Sequence, residues 1–142
     1  MSATVYAESS AILAWLLGED EHERVMRALA TAARVVTARL TLVECARAIA
    51  HARREHRLDD VGALAAQQLL EHAASEWTVI DLVGEVMTRA AGSFPIEPVR
   101  SLDALHLAAA VVFHRYLQSV QMLTLDDRIR SNAVALGMSL AL

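Results

Sequence analysis

Residues 4–17 read TVYAESSAILAWLL, and this stretch joins two apolar segments through an acid. Thr4–Ala7 has the β-branched and aromatic residues of a short strand, and Ser10–Leu17 has an apolar helical pattern. Glu8 lies between them, where an isolated carboxylate lowers stability unless it is hydrated, paired or bound to a cation. The stretch therefore predicts a strand followed by a helix, and the acid at their junction requires a partner elsewhere in the chain.

The alternation of short strands with longer helices continues along the chain. The predicted strands are Thr4–Ala7, Arg34–Thr37, Trp77–Ile80, Gln121–Thr124 and Met138–Ala141. The predicted helices are Ser10–Leu17, Glu21–Ala32, Leu42–His56, Asp60–Ala74, Leu82–Ala91, Leu102–Tyr116 and Arg128–Leu136. Such alternation predicts an α/β protein with a mostly parallel sheet of four or five strands, covered by helices on both faces. The length and the absence of repeats or linkers predict one domain over residues 1–142.

Composition narrows the class of protein. Hydrophobic residues make up 55% of the chain, which excludes a disordered polar protein. The longest apolar run, Leu107 to Phe113, is too short to span a bilayer, and the N-terminus lacks the pattern of an export signal. The single cysteine, Cys45, excludes an internal disulfide. We therefore expect a cytoplasmic protein that does not interact with a membrane.

Three further acids accompany Glu8 at predicted strand ends or helix starts. Glu44 follows Thr41 at the spacing of a capping box, so capping of a backbone N–H is an alternative to a functional role. Asp103 opens an otherwise apolar helix, where it also complements the helix dipole. Asp126 follows the fourth strand and is a candidate helix N-cap, with Asp127 as its solvated neighbour.

The carboxyl ends of parallel strands meet at one edge of a sheet, so these four acids are predicted to lie near one another. Four carboxylates brought close together raise one another's pKa values and cannot all stay ionised without a cation. Oxygen ligands favour Mg²⁺ or Mn²⁺, and such metals assist phosphoryl displacement. The residues themselves therefore favour a metal-dependent phosphodiesterase.

The chain lacks the residues that other phosphate-binding and metal-dependent folds require. The five glycines form neither a dinucleotide-binding fingerprint nor a P-loop. All thirteen basic residues are arginine, so the lysine that a phosphorylatable receiver domain usually needs is missing. The D-x-D of a dehalogenase-like phosphatase is also missing after the first strand.

Four segments in order, VYAESSAILAWL, LVECARA, SLDALHLAAA and MLTLDDRIRSNAVALG, resemble the PIN-domain ribonuclease family, specifically the VapC-type toxins of toxin–antitoxin pairs. The resemblance covers essentially the whole chain. It places the family's four acids on Glu8, Glu44, Asp103 and Asp126 and implies that the hydroxyls of Ser10 and Thr124, together with Arg128, position the substrate. Arg128 completes the T-x-D-x-R pattern and is predicted to close the acidic site or to pair with a carboxylate.

The resemblance implies a three-layer α/β/α domain that cleaves RNA with Mg²⁺ or Mn²⁺. Glu8, Asp103 and Asp126 are the implied metal ligands, and Glu44 is a further ligand or a base that acts through water. A small antitoxin protein and a second copy of the chain, in a homodimer, are the implied partners. The family usually has D-x-S where this chain has Glu8-Ser9-Ser10. A second hypothesis is therefore a PIN-like binding protein with weakened catalysis that keeps only its dimer and partner interfaces.

Overall fold

The computed structural model describes residues 3–142, which form five strands and seven helices. The strands are β1 (Thr4–Ala7), β2 (Arg34–Ala38), β3 (Thr78–Ile80), β4 (Val120–Leu123) and β5 (Ser139–Leu140). The helices are α1 (Ser9–Leu17), α2 (His22–Thr31), α3 (Arg39–Arg54), α4 (Asp60–Glu76), α5 (Glu85–Ala90), α6 (Ser101–Leu117) and α7 (Asp127–Ala135). Within this range, every helix is too short or too polar to cross a membrane.

All twelve predicted elements are present, and most of their ends agree with the prediction to within two residues. The largest differences are at the starts of two helices. Helix α3 begins at Arg39, three residues before the predicted Leu42, because the chain leaves β2 through the extended Ala38 and enters the helix without a loop. Helix α5 begins only at Glu85, because Gly84 has a φ of 51° and interrupts the helical backbone.

The five strands form one sheet in the order β3-β2-β1-β4-β5, and every pairing in it is parallel. Strand β1 is central: Tyr6 lies opposite Val36 of β2 on one side and Met122 of β4 on the other. The predicted parallel sheet is therefore confirmed, with five strands.

Alternate residues of the strands face two separate hydrophobic cores, one on each side of the sheet. Tyr6 packs in the core formed with α5, α6 and α7, whereas its neighbour Val5 packs in the core formed with α1 to α4. Leu107 and Ile12, one in each core, are fully buried. Burial of a side chain of this size contributes about 1.5–3 kcal/mol. The predicted three-layer α/β/α arrangement is confirmed.

The carboxyl edge, defined here as the edge where the parallel strands end, is where four helices begin. Helices α1, α3 and α7 start directly after β1, β2 and β4, and α6 runs back towards the start of β4, so its N-terminus lies at the same edge. Each of these helices contributes one of the four predicted acids, at its N-cap or in its first two turns. The topology therefore positions the candidate site.

Candidate active site at the carboxyl edge

Glu8 is the N-cap residue of α1 and is only 5% exposed. Its Oε2 atom accepts three hydrogen bonds: from the Ser10 amide at 3.0 Å, the Ser10 hydroxyl at 2.5 Å and the Thr124 hydroxyl at 2.7 Å. Hydrogen bonds to an ionised carboxylate are among the strong ones and offset the cost of burying the charge. The partners that the sequence required for Glu8 are thus two hydroxyls and a backbone amide.

The second oxygen of Glu8 is free of protein donors. Within residues 3–142, the hydrogen bonds to this carboxylate all go to Oε2. No buried side-chain oxygen or nitrogen in this part of the chain lacks a partner, so Oε1 is in contact with solvent. One oxygen of Glu8 is therefore anchored, and the other is available to a cation or to water.

The hydroxyls of Ser10 and Thr124 connect the ends of β1 and β4. They lie 3.2 Å apart, and the Ser10 hydroxyl also accepts a 2.9 Å hydrogen bond from the amide of Leu125. The Thr124 hydroxyl accepts one of 3.1 Å from the amide of Asp126. The structure therefore brings the two predicted positioning hydroxyls together at Glu8.

Asp126 serves as the N-cap of α7. Its Oδ1 accepts a 3.0 Å hydrogen bond from the amide of Ile129, which confirms the capping alternative for this oxygen. In the described part of the chain no donor reaches its Oδ2. Capping and cation binding are compatible here, because each uses a different oxygen.

Glu44 is not part of a capping box. Helix α3 begins at Arg39 with Ala38 as its N-cap, so Thr41 lies inside the first turn, where its hydroxyl accepts a hydrogen bond from Thr37. The Oε1 atom of Glu44 instead accepts hydrogen bonds from the Ser9 hydroxyl at 2.6 Å and from His106 Nε2 at 2.5 Å. The local explanation for Glu44 is therefore wrong, and tertiary contacts hold this side chain.

Burial by itself raises the pKa of the Glu44 carboxyl, because desolvation disfavours the charged form. The hydrogen bonds from His106 and Ser9 act in the opposite direction, with a further contribution from the positive charge of a protonated His106. Their combined effect places the pKa of Glu44 below its ordinary value. Glu44 is therefore ionised at neutral pH.

His106 is 1% exposed, so its side chain is packed inside the protein. Its Nδ1 lies 3.0 Å from the hydroxyl of Tyr6, and its Nε2 contacts Ser9 Oγ at 3.1 Å as well as Glu44. Burial, followed by the nearby charge of Glu8, raises the pKa of Tyr6 well above its ordinary value, so the phenol stays protonated. Tyr6, Ser9, Glu44 and His106 form a connected set, which we call the histidine network.

Asp103 lies in the first turn of α6, one turn before His106. Its side chain is 13% exposed, and its Oδ2 lies 3.4 Å from Nε of the exposed Arg100. That contact is long for a hydrogen bond and involves a solvated arginine, so it stabilises the protein little. Asp103 is therefore at the predicted edge without a strong protein partner that would compete with a cation.

Arg128 is exposed in the first turn of α7. Within residues 3–142, no carboxylate lies within ion-pair distance of its guanidinium group. The structure does not show the predicted pairing of Arg128 with an acid. Its role in closing the acidic site stays a prediction.

The donor chemistry of the carboxyl edge fits a hard divalent cation. All four acids offer oxygen atoms, and no three Asp, Glu, His or Cys side chains among the described residues are grouped tightly enough to form a ready-made cage. Mg²⁺ commonly binds through one or two carboxylates and keeps water or substrate phosphate as its other ligands. The free oxygens of Glu8 and Asp126 suit an open site of that kind.

Ser9 and Tyr6 are the members of the site that sequence reasoning missed. Ser9 had no motif of its own, and Tyr6 fitted the pattern of a core strand residue. The one available signal was His106, a polar residue one turn after Asp103 in an otherwise apolar helix. Nothing local in the sequence showed that its partners were Tyr6, Ser9 and Glu44.

Comparisons with known proteins show matches over nearly the whole chain. The profile of the PIN domain family matches residues 5–135. Ribonuclease VapC46 of Mycobacterium tuberculosis is 34% identical over 137 residues, which cover 96% of this chain and 95% of that protein.

Two solved structures are similar in fold. VapC20 of Mycobacterium tuberculosis, described as a toxin that cleaves the sarcin–ricin loop, matches with a TM-score of 0.62 at 17% identity, covering 94% of this chain and 95% of its own. PAE2754 from Pyrobaculum aerophilum matches with a TM-score of 0.58 at 16% identity, covering 92% and 79%. At these identities the structural matches show a common fold.

Proposed function

The chain belongs to the PIN domain family, and from that premise we propose that it is a divalent-metal-dependent endoribonuclease, the toxin of a type II toxin–antitoxin pair. The observation that carries the proposal is the placement of four acids, each on a different helix, at the carboxyl edge of one parallel sheet. The second hypothesis, a PIN-like protein with weakened catalysis that keeps only binding interfaces, is not favoured, because the relative that is 34% identical is a ribonuclease.

Electrostatics supports the requirement for Mg²⁺ or Mn²⁺. RNA phosphates are negative, and four carboxylates at one edge repel them unless positive charge intervenes. Glu8, Asp103 and Asp126 would hold the ion, and Glu44 would be a further ligand or the base reached through water. When bound, the ion supplies the charge that neutralises the phosphate as the displacement proceeds.

The residues of this chain prepare the edge for that reaction. Three donors fix Oε2 of Glu8, so the free Oε1 is presented in a defined direction. The Asp126 carboxylate is oriented by its capping hydrogen bond to Ile129. Arg128, exposed beside Asp126, is available to contact an RNA phosphate, and arginine suits that role because its planar group donates two parallel hydrogen bonds.

The partners in this proposal are an RNA substrate, a small antitoxin protein and a second copy of the chain in a homodimer, acting in the cytoplasm. The similarity to ribonuclease VapC46 over nearly the whole of both chains supports the toxin assignment. Light scattering during size-exclusion chromatography tests the dimer, and a mass near that of one 15.5 kDa chain would contradict it.

Cleavage of total RNA in the presence of Mn²⁺ tests the activity. We expect Asp103→Asn to abolish cleavage while leaving the protein folded, and a chelator to abolish cleavage by the wild type. Asp60→Asn is the matched control, because Asp60 is an exposed acid in the first turn of α4, another helix of 17 residues. Cleavage by Asp103→Asn at the wild-type rate would show that the assigned site is wrong.

A further inference from the structure

The imidazole of His106 lies where the two helical layers meet at the carboxyl edge. Helix α6 carries it on one side of the sheet, and it reaches Glu44 of α3, which covers the other side. The ring is 1% exposed and both of its nitrogens are hydrogen-bonded, Nδ1 to Tyr6 and Nε2 to Glu44 and Ser9. Its orientation is therefore fixed from two directions.

The direction of the hydrogen bonds to Glu44 follows from counting protons. An ionised carboxylate only accepts, so the Ser9 hydroxyl and the Nε2–H group of His106 both donate to Oε1 of Glu44. On the other side of the ring, Nδ1 lies 3.0 Å from the Tyr6 hydroxyl, which can donate to a lone pair or accept from an N–H group. The contact with Glu44 therefore requires a proton on Nε2, and the buried tyrosine anchors the ring at Nδ1.

We propose that Tyr6 and His106 are positioning residues that hold the carboxylate of Glu44 in its working orientation: Nε2–H of His106 donates to Oε1 of Glu44, and the Tyr6 hydroxyl anchors the ring from its opposite side. The inference rests on the proposed function, in which Glu44 acts at the metal site. Two donors occupy Oε1, and within residues 3–142 no donor reaches Oε2. The Glu44 side chain is 26% exposed, so Oε2 is left to act on a water molecule or a cation.

The opposite tautomer would disrupt this arrangement. A lone pair on Nε2 would face the Glu44 carboxylate and repel it, and the side chain would lose one of its two anchors. Replacement of a residue that hydrogen-bonds to a metal ligand and orients it typically lowers activity by about 10–100-fold. Loss of the Tyr6 hydroxyl should therefore lower kcat although Tyr6 is fully buried and does not touch the substrate.

The proton position can be measured without any activity assay. Long-range proton–nitrogen NMR correlations of the ¹⁵N-histidine-labelled protein at pH 8 distinguish the two tautomers, and the His106→Gln variant identifies the His106 signals among those of the six histidines. We expect a proton on Nε2 in the wild type and a changed Nε2 signal in Tyr6→Phe, because the ring loses its anchor at Nδ1. A wild-type ring without a proton on Nε2 would overturn the proposal.

Kinetics separates positioning from a purely structural role. The amide of His106→Gln reaches the place of Nε2 and still donates to Glu44, whereas the shorter side chain of His106→Asn does not. We expect kcat to fall about 10–100-fold in His106→Asn and in Tyr6→Phe with KM unchanged, and His106→Gln to stay much closer to the wild type. His114→Asn is the control, because His114 lies two turns later on α6, where its Nδ1 accepts a hydrogen bond from the amide of Val120 at the start of β4.

Thermal melting of each variant establishes that it is folded before its kinetics are compared. A wild type that cleaves no RNA would overturn the proposed function. A wild type that cleaves RNA, together with unchanged kcat in folded Tyr6→Phe and His106→Asn or equal losses in His106→Asn and His106→Gln, would overturn the positioning role alone.

Discussion

The hydroxyl of Thr124 donates a 2.7 Å hydrogen bond to Oε2 of Glu8, although 116 residues separate the two in the chain. The parallel pairing of β1 with β4 creates this contact, because it places the residues that follow each strand side by side. A buried carboxylate at the N-cap of α1 is thereby stabilised by the opposite half of the chain.

Replacement of Thr124 by valine should destabilise the protein by about 1–3 kcal/mol, because the buried Glu8 carboxylate loses one of its three donors without a change in side-chain shape. Urea unfolding followed by circular dichroism measures the difference. Thr124→Ser keeps the hydroxyl and should lose clearly less stability. Equal stability of the valine variant and the wild type would show that this hydrogen bond contributes nothing.

The two roles of Asp126 can be separated by two substitutions. Asparagine is as good an N-cap as aspartate, so Asp126→Asn should keep the stability of α7, whereas Asp126→Ala should cost about 0.5–2 kcal/mol. RNA cleavage should be lost in both, because both remove the negative charge. Asp127→Asn, at an exposed neighbouring acid, is the control. Cleavage by Asp126→Asn at the wild-type rate would show that Asp126 acts only as a helix cap.

Cys45 should not react with thiol reagents in the native protein. The side chain is fully buried, and burial, together with the charges of Glu44 and Glu8, raises the pKa of its thiol to about 12. At pH 8 the reactive thiolate is therefore almost absent. Labelling with a chromogenic disulfide should occur only after unfolding in urea. Rapid labelling of the folded protein would contradict the burial of Cys45.

Arg128 should contribute to RNA binding and not to stability. It is exposed in the first turn of α7, where the helix dipole disfavours a cation, so Arg128→Ala should leave the free energy of unfolding unchanged or slightly increase it. Loss of one phosphate contact should reduce the slope of log affinity against log salt by about 0.7 for single-stranded RNA.

Fluorescence anisotropy with labelled RNA in a chelator measures that slope without cleavage. The control is Arg34→Ala, because Arg34 is exposed at the start of β2, away from the carboxyl edge. An equal effect of both substitutions would indicate that Arg128 contributes only general positive charge.

The elements of the fold could be predicted from the sequence because their signals are local. The short apolar run in Thr4–Ala7 and the apolar pattern of α6 indicate which positions are buried, and these patterns can be recognised without knowing the partner element. Their ends were less certain. Helix α3 begins three residues early because β2 leads straight into it, a junction that no residue type marks.

The acids of the candidate site were also identifiable, since each lies at a strand end or near a helix start. The hydrogen-bonding role of each acid could not be identified as reliably. Thr41 and Glu44 have the spacing of a capping box, yet Glu44 bonds to Ser9 and His106, which are 35 and 62 residues away. For Asp126 the local interpretation was correct, because its capping partner Ile129 is only three residues away.

The sequence by itself determined the alternating strands and helices, the edge at which the acids gather and the resemblance to a nuclease family. Only the tertiary structure decided which donors hold each carboxylate: Thr124 for Glu8 and His106 for Glu44. The physical reason is that periodicity records how buried a residue is, whereas a hydrogen bond depends on the directions of two groups. Those directions are set when β1, β4, α3 and α6 meet at the end of the sheet.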